Sequence, residues 1–172
     1  IGVVSADTAL HIPDFRASER TFGLLTQVAG RAGRGDIPGK VIIQTSVPEH
    51  YAIQSAKNHN YREFYEKEKI FREELFLPPY SRMAKLVLSG LSAREVMRQA
   101  LELAKLFEIQ SSASGVRVVG PAPCLTSKQE GQFLWNIFLK GASQEAIGQS
   151  IRSTLKEFKK TRINLSVDMD PQ

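Results

Sequence analysis

Hydrophobic positions in the first part of the chain alternate between short β-branched runs and a helical stripe. "IGVV" at the start and "KVIIQT" from Lys40 are runs of the kind that parallel sheets bury. Between them lies an apolar stripe at helical spacing, formed by Phe22, Leu25, Val28 and Ala29. This pattern predicts the strand–helix–strand unit of an α/β sheet.

A second amphipathic segment follows in "NYREFYEKEKIFREEL". Helical spacing places four apolar residues along one side, namely Tyr61, Phe64, Phe71 and Leu75. The diproline Pro78–Pro79 is predicted to end this helix, because the residue before a proline is pushed out of the helical region. We therefore expect the domain boundary in "FLPPYS", which divides the chain into residues 1–78 and 79–172.

The second part begins with a predicted strand, "RMAKLVLSGL". Ser92 and Glu95 have the spacing of a capping box, so a helix is expected to begin there. Its apolar stripe consists of Val96, Ala100, Leu103 and Phe107. "VRVVG" then predicts a short strand, followed by a loop over "PAPCLTSKQEG".

The remaining pattern completes a small α+β domain. "FLWNIFLKG" alternates, with Phe133, Trp135, Ile137 and Leu139 on one face. A helix from Ser143 carries an apolar stripe, and its last turns are predicted to hold Lys156, Lys159, Lys160 and Arg162. "RINLSVDMD" predicts a closing strand. The order β-α-β-β-α-β predicts a ferredoxin-like fold, a four-stranded sheet with two helices on one face.

Composition is that of an ordinary globular protein, with 42% hydrophobic and 24% charged residues among 172. No apolar run approaches the roughly 20 residues that span a bilayer, and the N-terminus lacks the features of a signal peptide, so we expect a cytoplasmic protein with no membrane partner. The chain starts inside a predicted strand, which suggests a piece of something longer. The single cysteine, Cys124, and three scattered histidines predict neither a disulfide framework nor a metal site.

The formal net charge of +5 is unevenly distributed. Residues 1–75 carry ten Lys and Arg against ten Asp and Glu, whereas residues 76–172 carry thirteen against eight. The basic excess therefore lies in the second part, where it is compatible with a nucleic-acid partner.

The segment from Gly35 to Lys40 looks like a phosphate-binding loop but departs from that motif. It is one residue short of G-x-x-x-x-G-K, Val41 stands where Ser or Thr would hold Mg²⁺, and Pro38 removes a backbone donor. It also follows a predicted helix and leads into a strand, the reverse of a P-loop. We interpret it as a helix-to-strand turn.

Three polar residues in "QVAGRAGR" are better candidates for phosphate chemistry. Gln27, Arg31 and Arg34 are spaced so that a helix points them the same way. Gly30 and Gly33 lie between them and leave that surface open, although glycine costs a helix roughly 1 kcal/mol. Two neighbouring guanidiniums suit an anion such as a triphosphate. A solvated basic helix end, complementing the helix dipole, is the alternative.

"QVAGRAGR" resembles motif VI of superfamily 2 helicases. Together with "SADTALHIPDFRASERTFGLLT", "REELFLPPYSR", "GPAPC", "FLWNIFLKG" and "VDMDP", it makes nearly the whole chain similar to the C-terminal part of the primosomal protein N′ (PriA) family of bacterial replication-restart DNA helicases. The resemblance implies that residues 1–78 are the end of a second RecA-like helicase lobe with a connecting helix, and that residues 79–172 form a docking domain.

The resemblance also implies roles for individual residues. Arg31 and Arg34 would contact the γ-phosphate of ATP, bound with Mg²⁺ on the other lobe, and Gln27 would position the attacking water. Asp7 matches motif V, which links nucleotide to DNA. Asp14 and Arg16 are expected to be structural or coupling residues.

Several parts of a complete helicase do not occur in this chain. It contains no Walker A motif, no D-E-x-H box and none of the zinc cysteines that the family carries elsewhere. We therefore expect the chain by itself to be inactive as an ATPase.

For the second domain, the resemblance implies binding of forked or single-stranded DNA, of the tail of the single-strand DNA-binding protein and of other primosome proteins. The candidate contact residues are Lys128, Gln132, Trp135, Lys140, Lys156, Lys159 and Lys160, with Arg117 at a strand end. Alternation with Phe133 and Ile137 favours a core position for Trp135 over a base-stacking one. A stand-alone nucleic-acid or protein-binding adaptor remains the alternative to a motor.

Overall fold

The computed structural model describes residues 1–12, 14–32, 40–111, 115–159 and 161–171, and the side chains of these except at positions 111 and 125–127. The chain forms two compact units, Ile1–Leu75 and Phe76–Gln172. No helix in the described ranges is long and apolar enough to cross a membrane.

The described residues of the first unit form two short parallel strands and four helices. Strand β1 (Gly2–Val3) pairs with β2 (Ile42–Ile43). Helices α1 (Asp7–Leu10) and α2 (Ala17–Ala32) lie between the strands in sequence, and α3 (Tyr51–Lys57) and α4 (Tyr61–Glu74) follow them. The predicted strand–helix–strand unit is confirmed. The sequence pattern did not reveal α1 or α3.

The core of the first unit brings α2, α3 and α4 together. Its buried members are Ala6, Phe22, Leu25, Ala52, Ile53, Ala56 and Phe64. The rings of Phe22 and Phe64 stack with centroids 4.3 Å apart and an interplanar angle of 10°. Helix α3 supplies three of these residues, so it is central to the core although its seven residues are too few to show a clear period.

The helix predicted over residues 60–75 is confirmed as α4. Of the four apolar residues placed along one side, only Phe64 is buried, whereas Tyr61, Phe71 and Leu75 are 64%, 47% and 47% exposed. The helix ends at Glu74, before the diproline is reached, so the prediction that the diproline ends it is wrong. The cause is local, because Phe76 adopts a left-handed backbone with φ of 50°, which no helix continues.

The second unit is a four-stranded antiparallel sheet with two helices. Its elements are β3 (Arg82–Gly90), α5 (Ala93–Ser111), β4 (Arg117–Gln129), β5 (Gln132–Gly141), α6 (Gln144–Glu157) and β6 (Asn164–Met169). The strand order is β4-β5-β3-β6, so the first and third strands of the unit lie at the centre of the sheet. The predicted order β-α-β-β-α-β and the small α+β class are confirmed.

Both helices pack on one face of this sheet. The predicted stripe of α5, formed by Val96, Ala100, Leu103 and Phe107, is completely buried. It meets Leu86 and Leu88 of β3 and Ile137 and Leu139 of β5 in one hydrophobic cluster. Gly141 allows the close approach of α6, since an added Cβ would lie 2.9 Å from Cγ1 of Ile147. The alternation and the helical spacing were therefore sufficient to identify this core.

Strand β4 is longer than expected. The predicted loop over residues 121–131 is wrong, because β4 continues to Gln129 with register shifts between Val119 and Ala122 and between Pro123 and Lys128. These irregularities interrupt the alternation that identifies a strand in sequence. The β4–β5 hairpin turns at Glu130 and Gly131, which have φ of 50° and 80°, as a tight hairpin turn requires.

Helix α6 ends earlier than predicted. Ser143 accepts a hydrogen bond from the Ala146 amide at 3.1 Å and begins the helix as expected. Phe158 already has extended backbone, and its ring is buried. Lys159 and Arg162 therefore lie in the α6–β6 connection and not in the last turns of a helix, whereas Lys156 does belong to α6. Lys160 lies outside the described residues.

Candidate functional site

The C-terminal half of α2 presents Gln27 and Arg31 on its surface, one turn apart and both exposed. Within the described part of the chain, Arg31 forms no ion pair. Arg34 and Gly33, with the turn over residues 35–39, lie outside the described residues.

The surface beside Arg31 is open. A Cβ added at Gly30 would meet no heavy atom within 4 Å, and the same holds at Gly23, two helical turns earlier. Neither glycine is needed for close packing inside this unit. Glycine costs a helix roughly 1 kcal/mol relative to alanine, and packing within the described residues accounts for it at neither position.

Asp7 has a defined structural role at the start of α1. One carboxylate oxygen accepts a hydrogen bond from the Thr45 hydroxyl, and the other accepts from the amide and the hydroxyl of Ser46, both at 2.8 Å. The Thr45 hydroxyl, followed by the Ser46 amide, lowers the pKa of Asp7. Asp7 therefore joins α1 to the segment that follows β2. Its assignment to nucleotide–DNA coupling stays a prediction.

Asp14 organises the start of α2. Its carboxylate accepts a hydrogen bond from the Arg16 amide at 2.9 Å and forms an ion pair with Arg20 at 2.7 Å. The Ala17 amide donates to the Asp14 carbonyl at 2.9 Å. These local contacts agree with a structural role for "PDFR" and set the direction in which α2 leaves the preceding loop.

A charged cluster joins α2 to α4. Arg72 donates to Glu68 at 2.6 Å and to Glu19 at 2.7 Å, and the Tyr51 hydroxyl donates to the other oxygen of Glu68 at 2.5 Å. Burial and the Glu68 carboxylate raise the pKa of Tyr51 to about 12. The ring of Phe15 lies 5.3 Å from the Arg72 guanidinium. The helix that bears Arg31 is thus held at its N-terminal half by polar contacts, which the sequence pattern did not reveal.

In the second unit, the candidate binding residues do not form one patch. Lys128 and Gln132 flank the β4–β5 hairpin, and the α6–β6 connection with Lys159 lies at the same end of the sheet. Lys156 is exposed on α6. Lys140 lies at the opposite end of β5, directly across from Arg117.

Trp135 faces the helices. It lies on the side of β5 that carries Ile137 and Leu139, and it packs against the hydrophobic cluster of the second unit. This position agrees with the core interpretation of Trp135. The neighbouring Phe133 ring, which is half-buried, lies 5.4 Å from the Lys128 ammonium.

The opposite face of the sheet carries residues that the sequence analysis overlooked. Alternation along β3 and β5 directs Lys85 and Phe138 away from the helices, where they lie directly across from each other. Their signal was present in the alternation of "RMAKLVLSG" and "FLWNIFLKG".

Among the described residues, no group of three or more His, Cys, Asp or Glu side chains is placed to hold a metal ion. The second unit instead carries a net positive charge, with Lys85, Arg117 and Lys140 on its sheet, whereas the first unit is balanced overall and exposes Arg31. Such an arrangement suits phosphate-bearing ligands, and a compact α+β unit with cationic surfaces is common among proteins that act on nucleotides or nucleic acids.

Comparison with known proteins identifies the family to which the chain belongs. Residues 73–172 match the family described as Primosomal protein N C-terminal domain, and the chain belongs to that family. The similar curated proteins include Replication restart protein PriA of Bacillus subtilis, 37% identical, and that of Synechocystis, 39% identical, each over 99% of this chain. The protein of the same name from Treponema pallidum is 38% identical over 99% of the chain.

The chain spans only 20% to 26% of the length of these three relatives. Among solved structures, a de novo designed protein, Foldit4, matches 54% of the chain with a TM-score of 0.41 and 13% identity.

Proposed function

We propose that this chain is the C-terminal part of an ATP-dependent superfamily 2 DNA helicase that acts in replication restart. The names of the relatives support the restart role. The observation that carries the motor role is Arg31, exposed one turn from Gln27 beside the open surface at Gly30, with no ion pair in the described part of its own chain. In this proposal α1, α2 and the parallel strands close a RecA-like lobe.

The chemistry assigned to α2 is electrostatic. Arg31 and Arg34 donate to the γ-phosphate of ATP held with Mg²⁺ by the other lobe, and they stabilise the charge that develops during transfer to water. The side-chain carbonyl oxygen of Gln27 orients that water by accepting a hydrogen bond from it. Asp14 and the charged cluster of Glu19, Glu68 and Arg72 hold the helix that carries Gln27 and Arg31.

The second unit is assigned to docking. Its net basic charge supports binding of forked or single-stranded DNA, and we assign to it the contacts with the tail of the single-strand DNA-binding protein and with other primosome proteins. The protein would act in the cytoplasm, where the chromosome is replicated in bacteria.

The test is DNA-stimulated ATP hydrolysis by the full-length protein. Arg31→Ala should lower kcat by about 10³-fold, the usual contribution of a catalytic arginine finger, with DNA affinity unchanged. Arg62→Ala, which removes an exposed arginine of α4, is the matched control and should retain the wild-type rate. ATP hydrolysis by Arg31→Ala within twofold of wild type would show that this arginine serves no catalytic purpose.

A second candidate function is a stand-alone nucleic-acid or protein-binding adaptor. It is favoured by the location of the basic excess, since all of the net charge resides in residues 76–172. The 172-residue chain should bind DNA without hydrolysing ATP under either proposal. The two differ in the full-length protein, where an adaptor would bind DNA without DNA-stimulated ATP hydrolysis.

A further inference from the structure

The sheet of the second unit has one face that neither α5 nor α6 covers. Ala84, Leu86 and Leu88 point to the helices and are completely buried, so the alternating residues of β3 point the other way. One row of this open face crosses all four strands, each residue lying directly opposite the next. It consists of Val119, Phe138, Lys85 and Asp168.

An aromatic ring and a cation lie together at the centre of this row. The Lys85 ammonium is 6.0 Å from the centroid of the Phe138 ring, and both residues belong to the two central strands. Both are partly exposed, as is Val119, of which 45% is exposed. Both groups lie on the sheet face that neither α5 nor α6 covers.

The next row contains two like charges. Arg117 and Lys140 lie directly opposite each other on neighbouring strands. Burial and then the Arg117 charge lower the pKa of Lys140. The Arg117 guanidinium also lies 5.0 Å from the ring of Phe76. The chain thus holds two cations side by side on a surface that carries a third at Lys85.

The spacing of the cationic side chains on this face suits successive phosphates of a nucleic-acid strand. Lys140 lies two residues from Phe138 on β5, so it is a diagonal neighbour of Lys85, and such neighbours are about 7–8 Å apart. The acids of these two rows lie at the β6 edge, where Asp168 is opposite Lys85 and the Asp170 amide donates to the Met83 carbonyl. Asn136 and Ser166, in the row beyond Phe138, can hydrogen-bond to base edges.

We propose that this open face binds single-stranded nucleic acid, with one base stacked on Phe138 and neighbouring phosphates on Lys85, Arg117 and Lys140. The inference rests on the proposed DNA-docking role of the second unit and assigns that role to a surface. Single strands are favoured over duplex because only an unpaired, unstacked base can present its face to the ring. A second copy of the chain is disfavoured as the occupant, because its corresponding face is equally cationic and the two faces would repel each other.

The test uses the complete 172-residue chain and a fluorescein-labelled dT20 strand, read by anisotropy at several salt concentrations. Phe138→Leu should weaken binding about tenfold, as expected for loss of one base–aromatic stack. Phe138→Tyr, which keeps a ring, should bind like wild type. Lys85→Gln should reduce the log–log salt slope by about 0.7, one phosphate contact to a single strand.

Two matched controls accompany these variants. Phe71→Leu removes an exposed ring from the first unit, and Lys105→Gln removes an exposed lysine from the helical side of the second. Both should leave dT20 affinity within twofold of wild type. A duplex of the same length should bind more weakly and respond less to Phe138→Leu.

Photo-crosslinking identifies the face even if a substitution impairs folding. A strand carrying 5-iodouracil should crosslink to the wild-type peptide that contains Phe138. Tight dT20 binding that is indifferent to Phe138→Leu and Lys85→Gln, or crosslinks confined to α5 and α6, would overturn the inference and leave DNA docking by this unit intact. Absence of any DNA binding by the wild-type chain would overturn both the inference and the DNA-docking role of the second unit.

Discussion

Glu19 of α2 and Arg72 of α4 form an ion pair at 2.7 Å, although 53 residues separate them in sequence. Arg72 also binds Glu68, whose side chain is only 8% exposed. Removing Arg72 would leave the Glu68 carboxylate buried with the Tyr51 hydroxyl as its remaining described donor. A partly buried ion pair of this kind costs more to break than an exposed one.

We therefore expect Arg72→Met to destabilise the first unit by about 2–3 kcal/mol. Hydrogen–deuterium exchange of α2 and α4 amides should report the loss, whereas the fluorescence of Trp135, the single tryptophan, reports the second unit and should be unchanged. Lys67→Met breaks the exposed Lys67–Glu63 pair and should cost less than about 1 kcal/mol. Equal exchange rates in the two variants would contradict the assigned role of Arg72.

Glu95 gives the second unit a defined response to acid. Hydrogen bonds from Arg98, then from the Thr161 hydroxyl, lower the pKa of Glu95 from 4.5 to about 2. Since the folded-state pKa is depressed, the stabilisation is present above pH 4.5 and is lost as the pH falls towards 2.

The midpoint of thermal unfolding, followed by Trp135 fluorescence, should therefore be lower for Glu95→Gln than for wild type at pH 6. This difference should vanish near pH 2. Thr161→Val should move the Glu95 titration, followed by NMR of the carboxyl carbon, towards 4.5. A difference between Glu95→Gln and wild type that persists unchanged at pH 2 would show that the carboxylate charge is not the cause.

Two glycines lie on either side of the β5–α6 junction. Replacing each with alanine should change the free energy of unfolding in opposite directions. At Gly141 the new Cβ would lie 2.9 Å from the branched Ile147 side chain, and overpacking of this kind costs about 1–3 kcal/mol. At Gly148, inside α6, it would meet the flexible end of Arg152 at 3.3 Å, and higher helix propensity should stabilise by about 0.5–1 kcal/mol. Urea unfolding followed by Trp135 fluorescence measures both, and a stabilising Gly141→Ala would refute the close approach of α6.

Gly30 and Gly23 allow stability and function to be separated on α2. Neither position hinders an added Cβ, so each alanine substitution should stabilise the helix by about 0.5–1 kcal/mol. If Gly30 keeps the surface open for a phosphate ligand, Gly30→Ala should raise the KM for ATP or lower kcat in the full-length protein, whereas Gly23→Ala should leave both unchanged. Wild-type kinetics in both variants would mean that the open surface at Gly30 serves no ligand.

The sequence by itself determined the elements whose pattern is local. The period of α5 from Val96 to Phe107 and the alternation from Phe133 to Leu139 each repeat several times within one element, so they predicted both the element and its buried face. The β-α-β-β-α-β order followed from these segments. The exposed polar face of α2 at Gln27 and Arg31 was predicted for the same reason.

Tertiary structure alone decided what depends on partners distant in the chain. Helix α3 is too short to show a period, and bulges obscure the alternation of β4. The Glu19–Arg72 pair and the position of Lys85 beside Phe138 depend on how helices pack and on strand register. A shift of one residue in that register would place Phe138 among the helices, because successive side chains of a strand point to opposite faces.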